Sequence, residues 1–176
     1  EDPTLTIYKN TETGDLTISG VGELHLDVAI EKLLNKFGVT AKLYQPAIAY
    51  RETIRGTSKV EGKHKKQSGG HGQYGDVWLE FSPGELGSGV TFTETIVGGA
   101  VPRQYIPAVE KGVRETLQTG ILAGYPMVDI KVNLFDGSYH TVDSSEMAFK
   151  TAAALAIKKG IPEAKPVLLE PYYTLK

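Results

Sequence analysis

Cysteine is absent from all 176 residues, which excludes disulfide staples and thiolate metal sites and fits a reducing compartment. No apolar run approaches membrane-spanning length and no signal peptide opens the chain, so no membrane partner is expected and the cytoplasm is the default location. Strong charge of either sign is missing too: 19 Lys and Arg stand against 21 Asp and Glu, for a net charge of −2. Affinity for a polyanion must then be local, carried by a patch and not by the whole surface. At 40% hydrophobic and 23% charged the composition is globular, and the length suits one full domain plus part of another.

One stretch supplies such a patch. Between Arg51 and Gly75 six cations (Arg51, Arg55, Lys59, Lys63, Lys65, Lys66) face two acids, Glu52 and Glu61. Its end is a loop too rich in glycine to pack on itself, with Gly69, Gly70, Gly72 and Gly75. Lys63, Lys65 and Lys66 give positive charge, and His64 and His71 can add to it. Gln67, Ser68 and Gln73 donate and accept hydrogen bonds, and Tyr74 offers a stacking face. Cations, short polar groups and an aromatic on a pliable backbone suit a phosphate-rich, single-stranded or irregular nucleic acid, above all RNA. The plainer alternative is a solvated surface hairpin.

The chain opens at Glu1-Asp2-Pro3 without a methionine and enters a strand pattern at once, as if cut from a longer protein. Thr4 to Ser19 reads as a β-hairpin around the turn residues of Asn10 to Asp15. From Glu23 the period becomes helical, with Leu26, Ile30, Leu33, Leu34 and Phe37 on one face and Gly38 placed to end the helix. Val39 to Leu43 is expected as a further short strand. One helix on three strands leaves apolar surface from Leu26, Ile30 and Leu33 uncovered, so any homo-oligomer is expected to be an artefact of truncation.

Gln45-Pro46 marks a boundary. Strands are expected at about Ala47 to Lys66, Gln73 to Phe81 and Val90 to Val97. A helix opening at Pro102 follows, with Ile106, Val109, Val113 and Leu117 on one face and the pairs Glu110 with Arg114 and Lys111 with Glu115 on the other. Met127 to Phe135 alternates as a half-buried strand and Asp136 to His140 reads as a loop. Asp143-Ser144-Ser145-Glu146 has the spacing of a capping box, with Asp143 as N-cap of a small-residue helix over Ser144 to Lys159. Pro162 and Pro166 flank an expected linker, and Val167 to Tyr173 begins a strand whose partners are expected beyond Lys176.

Three blocks carry a resemblance: Ile18-Ser19-Gly20-Val21-Gly22-Glu23-Leu24-His25-Leu26-Asp27, then Tyr50-Arg51-Glu52-Thr53-Ile54, and Asp136-Gly137-Ser138-Tyr139-His140 with Ser144-Ser145-Glu146-Met147-Ala148-Phe149-Lys150. In order, spacing and identity they resemble translation elongation factor G, the GTPase family that drives tRNA and mRNA through the ribosome. The resemblance implies the end of a ferredoxin-like third domain over residues 1–45, a fourth domain over 46–164 and the first strand of a fifth over 165–176. The fourth is implied to be an α+β fold, a two-layer α/β sandwich with a left-handed β-α-β crossover. No phosphate-binding loop of the GTPase type occurs, so no cofactor is expected here, with GTP and Mg left to a full-length parent. The family's fourth domain enters the decoding region of the small ribosomal subunit, where the implied partners are tRNA and mRNA. Its two tip loops map onto Gln67 to Tyr74 and onto Gly137, Ser138, Tyr139 and His140, the last resembling the histidine modified in the eukaryotic counterpart.

Two positions depart from the family pattern. His71 stands where arginine is usual and Asp76 where many members have histidine, so the tip is less cationic and points to a divergent copy. A ribosome-protection protein of the tetracycline-resistance type, or a ribosome-recycling paralogue, ranks second, and a small enzyme on a related two-layer fold is the distant alternative. His140, Asp143 and Ser144 are triad residue types, but capping is the ordinary duty of the last two. Glu23, His25 and Asp27 point in different directions on a helix, so neither a catalytic nor a metal site is expected.

Overall fold

The computed structural model describes residues 2–11, 13–67 and 69–172, in two units, Glu1–Ala49 and Tyr50–Lys176. Ser68 and Tyr173, both named above, lie outside the described residues.

In the first unit, β1 (Thr6–Lys9) and β2 (Leu16–Ser19) pair antiparallel, as the turn-rich Asn10 to Asp15 dictates. Helix α1 (Glu23–Phe37) ends where Gly38 takes the left-handed conformation (φ 67°) and donates its N–H to the Leu34 carbonyl. No residue of α1 is buried: Leu33, Leu34 and Phe37 are exposed, and Leu26 and Ile30 are half-buried. The expected strand at Val39 to Leu43 is absent, because alternation alone does not make a strand without a neighbouring edge to accept its hydrogen bonds. His25 leaves its helical neighbours for Asp2, Nε2 to Oδ2 2.9 Å, while its Nδ1 accepts from the Val21 N–H. Hydrogen bonds from Thr4 first, and then from His25, hold the Asp2 carboxyl well below the usual range.

The second unit is a mixed α+β two-layer sandwich. Its main sheet has the order β4 (Ser58–Lys66), β5 (Gln73–Pro83), β7 (Ile130–Ser138), β6 (Val90–Glu94), antiparallel except for the β6–β7 pair. That parallel pair requires a crossover, which α2 (Ile106–Gln118) provides after a 3-10 turn at Arg103–Tyr105. Inward Val60, Val77, Leu79, Phe81, Val132 and Leu134 meet Val109, Val113 and Leu117 of α2 and Phe149, Ala152, Ala153 and Ile157 of α3 (Glu146–Glu163) in one core, so both helices cover the same face. Of the two expected i,i+4 pairs, Glu110–Arg114 forms at 2.8 Å, but Glu115 turns to Lys150 of α3 at 2.6 Å, and that bond holds its carboxyl below the usual range.

The long strand expected from Ala47 is broken in two, because the N–H groups of Arg55 and Gly56 donate to the carbonyls of Lys165 and Ala164 at the end of α3. Before the break lies β3 (Arg51–Ile54), which pairs antiparallel with β8 (Pro166–Leu169), Arg51 opposite Leu169. Residues 166–169 therefore find their partner inside the chain and not beyond Lys176. Pro162 sits in the last turn of α3, not in a linker.

Glu52 of β3 is fully buried, and its carboxylate accepts four backbone N–H groups, from Ile121 and Leu122 on Oε2 and from Ala123 and Tyr125 on Oε1, at 2.7–3.0 Å. Burial pushes this carboxyl up, but the four donors together outweigh it and hold the group below its ordinary value of 4.5. A carboxyl depressed on folding contributes stability that is present above its unfolded value and lost as pH falls through the folded one. Glu52→Gln turns an amide NH2 toward backbone donors and is expected to cost ~3 kcal/mol in urea unfolding, with a flatter loss of stability than wild type as pH falls below the ordinary glutamate range. An unchanged midpoint would show that the carboxylate does not hold the 121–125 loop.

Candidate nucleic-acid interface

The first tip loop is the turn between β4 and β5. Ladder pairs from Ser58–Phe81 to Lys66–Gln73 keep this hairpin regular, and the turn closes through Gly69 (φ 38°) and Gly70 (φ 137°). The second loop follows β7. Strict alternation from Ile130, Val132 and Leu134 would drive Asp136 and Ser138 into the core. The ladder avoids this with a bulge: Leu79 pairs with Leu134 but Trp78 pairs with Asp136, so Phe135 is an extra residue. Beyond the bulge the phase is reversed, and Ser138 arrives opposite Asp76 on the outer face. The strand thus runs to Ser138, through most of the segment expected as a loop.

A polar network follows from that phase change. The Ser138 hydroxyl donates to Asp76 Oδ2 at 2.5 Å and lies 2.7 Å from the Tyr74 hydroxyl. Lys63 Nζ sits 3.7 Å from the same Asp76 oxygen, 3.6 Å from Glu61 and 5.6 Å from the Tyr74 ring centre. Asp76 foremost, then Tyr74, pushes the Lys63 ammonium up. Lys63 is therefore engaged on the sheet, and Lys65 and Lys66 are the cations with no ion pair among the described residues at the loop. His64 is taken up as well, Nε2 to Gln73 Oε1 2.8 Å. Gln67, Gly69, Gly70, His71, Tyr139 and His140 are exposed, and Gly72, Tyr74, Gly137 and Ser138 are partly covered.

The two loops are bonded to one another through Asp143 and Ser144, residues expected at a helix cap. Asp143 Oδ1 accepts the Gly72 N–H at 3.1 Å and its carbonyl accepts the Tyr74 N–H at 2.8 Å. The Ser144 hydroxyl donates to the Tyr74 carbonyl at 2.9 Å and accepts the His140 N–H at 2.8 Å. Tyr105 closes the back of the seam, its hydroxyl donating to the Ser144 carbonyl. The helix starts two residues later than expected: Ser145 is the N-cap and accepts the Ala148 N–H at 3.1 Å, which puts Glu146 in the first turn. Only one residue of Asp143-Ser144-Ser145 can cap. That surplus of capping types was the available sign that two of them bond elsewhere. His140, Asp143 and Ser144 form no relay, since Ser144 is spent on Tyr74 and His140 is joined to it only through backbone N–H. No cluster of metal-ligating side chains occurs among the described residues, and no described helix is long and apolar enough to cross a membrane.

The sequence profile for elongation factor G, domain IV, matches residues 46–165, and that for elongation factor G, domain III, matches residues 1–45. A Thermus thermophilus protein of known crystal structure is 48% identical, with a TM-score of 0.81; the match covers 96% of this chain and 25% of that one. The chain belongs to the elongation factor G family.

The seam and the cap separate experimentally. Ser145→Ala is expected to lower stability by ~1 kcal/mol through loss of the cap. Asp143→Ala is expected to leave α3 intact by circular dichroism while amide exchange at Gly72 and Tyr74 accelerates. Loss of helix in Asp143→Ala with no change in Ser145→Ala would return the cap to Asp143.

Proposed function

We propose that this chain is part of a ribosomal translocase whose tip enters the A site of the small subunit and contacts tRNA and mRNA during translocation. The observation that carries the reading is the Asp143–Gly72 and Tyr74–Ser144 seam, which makes one rigid end from two loops far apart in sequence. That end presents Lys65, Lys66, Gln67, His71, Tyr139 and His140 together, without a catalytic group. Such a surface can follow ribose and phosphate by hydrogen bonding while its aromatics meet bases. Ser68 is assigned to it on sequence alone.

Within this proposal, residues 1–45 end a third domain, 46–164 form the fourth and 165–176 open a fifth. The GTPase activity, with its GTP and Mg, belongs to a longer cytoplasmic parent of which this chain is about a quarter, by comparison with the Thermus protein. The mechanism is occupation of the site a tRNA vacates, with no bond made or broken by this segment. Translocation is also the reading that the factor-like loop pattern favours over ribosome protection.

In a parent carrying this sequence, His140→Ala is expected to slow translocation about fivefold or more on pre-translocation ribosomes while leaving GTP hydrolysis nearly unchanged. His71→Arg is expected to strengthen ribosome engagement by ~1 kcal/mol and to steepen its salt dependence by about one counterion. Equal translocation rates for wild type and His140→Ala across several salt concentrations would sink the mechanism.

A further inference from the structure

The His140 ring is held by one nitrogen only. Its Nδ1 accepts two backbone N–H groups of its own loop, Val142 at 3.3 Å and Asp143 at 3.1 Å. A backbone amide can only donate, so Nδ1 must carry its lone pair, and the proton of the neutral ring lies on Nε2. The main chain of the same residue is fixed as well, its N–H on the Ser144 hydroxyl and its carbonyl on the Ser144 N–H. Two groups face the ring. The Tyr74 ring lies 6.3 Å away, centre to centre, and the Asp143 carboxylate places Oδ2 3.6 Å from Nδ1 with no hydrogen bond between them. A proton on Nδ1 would favour that carboxylate but would turn an N–H toward two N–H donors and release the loop. The side chain is about half exposed, and Nε2 has no hydrogen bond among the described residues.

We propose that His140 meets RNA as an uncharged donor, through Nε2–H alone, with Nδ1 committed to the loop. This rests on the reading of the tip as an RNA-facing surface and adds what the contact is. The complementary group is an acceptor on RNA, a phosphate oxygen, a ribose oxygen or a base-edge acceptor, approached without a counterion being released by this residue. His140 then differs in kind from Lys65 and Lys66 beside it: they attract the polyanion from a distance, and it selects position and direction at contact.

Nitrogen-detected NMR of the histidine rings at neutral pH tests the tautomer directly. The expected result is an unprotonated Nδ1 and a protonated Nε2 for His140, with averaged values for His71, whose ring makes no hydrogen bond among the described residues. A protonated or averaged Nδ1 at His140 overturns the proposal. His140→Asn tests the contact, because its Oδ1 replaces Nδ1 as the acceptor for Val142 and Asp143, while its amide NH2 takes the place of Cδ2 and falls a bond short of Nε2–H. Its amide exchange at those two residues is expected to stay near wild type, where His140→Ala speeds it. Its affinity for small ribosomal subunits is expected to fall about fivefold with the same salt slope. Wild-type affinity in His140→Asn, or a slope lower by about one, overturns the uncharged-donor contact. If the wild-type chain itself does not bind subunits, the RNA-facing reading falls and takes the contact with it, while the ring-nitrogen shifts still decide the tautomer.

Discussion

Most of the second unit depends on how closely α3 lies on the β4–β5 hairpin. A Cβ on Gly62 would stand 2.2 Å from the Ala152 carbonyl, and one on Gly75 would stand 2.5 Å from that of Ala148. At the far end of the same helix, Gly160 leaves room for the Phe81 ring. At Gly62 and Gly75 backbone rests on backbone, beside the buried Ala148, Ala152 and Ala156, and so close a contact yields little. It fixes where the N-terminus of α3 emerges and hence where Ser144 and Asp143 meet the hairpin. A bulkier residue at Gly62 would tilt the helix and part the loops without touching either.

Much of this was legible. Small residues spaced along α3 announced a close contact, and the alternation of Ile130, Val132 and Leu134 announced an inward face. Gly38 and the apolar stripe of α1 fixed that helix to the residue. What escaped was decided by partners that a linear pattern does not name. Val39 to Leu43 has a strand's composition but no edge to join, whereas Pro166 to Leu169 joins one 112 residues earlier in the chain, counting from Ile54 to Pro166. Asp129 lies within the alternation of Met127 to Phe135 but stands just outside β7, where it is buried and accepts the Gly89 N–H. Beyond the surplus of capping types, the bonds that join Gly72, Tyr74 and His140 to Asp143 and Ser144 left no mark in the sequence pattern. The bulge at Phe135 shifts parity by one, and no hydropathy pattern records an extra residue.

Charge at the tip is sparser than the run of lysines implied. Lys63 is bound to Asp76 and so serves the network under the loops instead of the surface above them. His71 stays exposed. The shape of this end is held instead by hydrogen bonds to the Asp76 and Asp143 carboxylates and to the Ser144 hydroxyl. On the proposed reading, recognition then relies more on fit than on attraction, since fixed donors direct a ligand where mobile cations only concentrate it.

The ladder between β3 and β8 brings the two ends of the second unit side by side, Arg51 against Leu169. Tension between the chain that enters at β3 and the chain that leaves at β8 would act at one end of this ladder and open its pairs in succession, as a zip opens. Shear would load all of them at once; peeling loads one. The ladder is thus the mechanical fuse of the unit. A pull that passes Arg51–Leu169 next meets Glu52 and Ile54, both buried, so the fuse ends where the core begins.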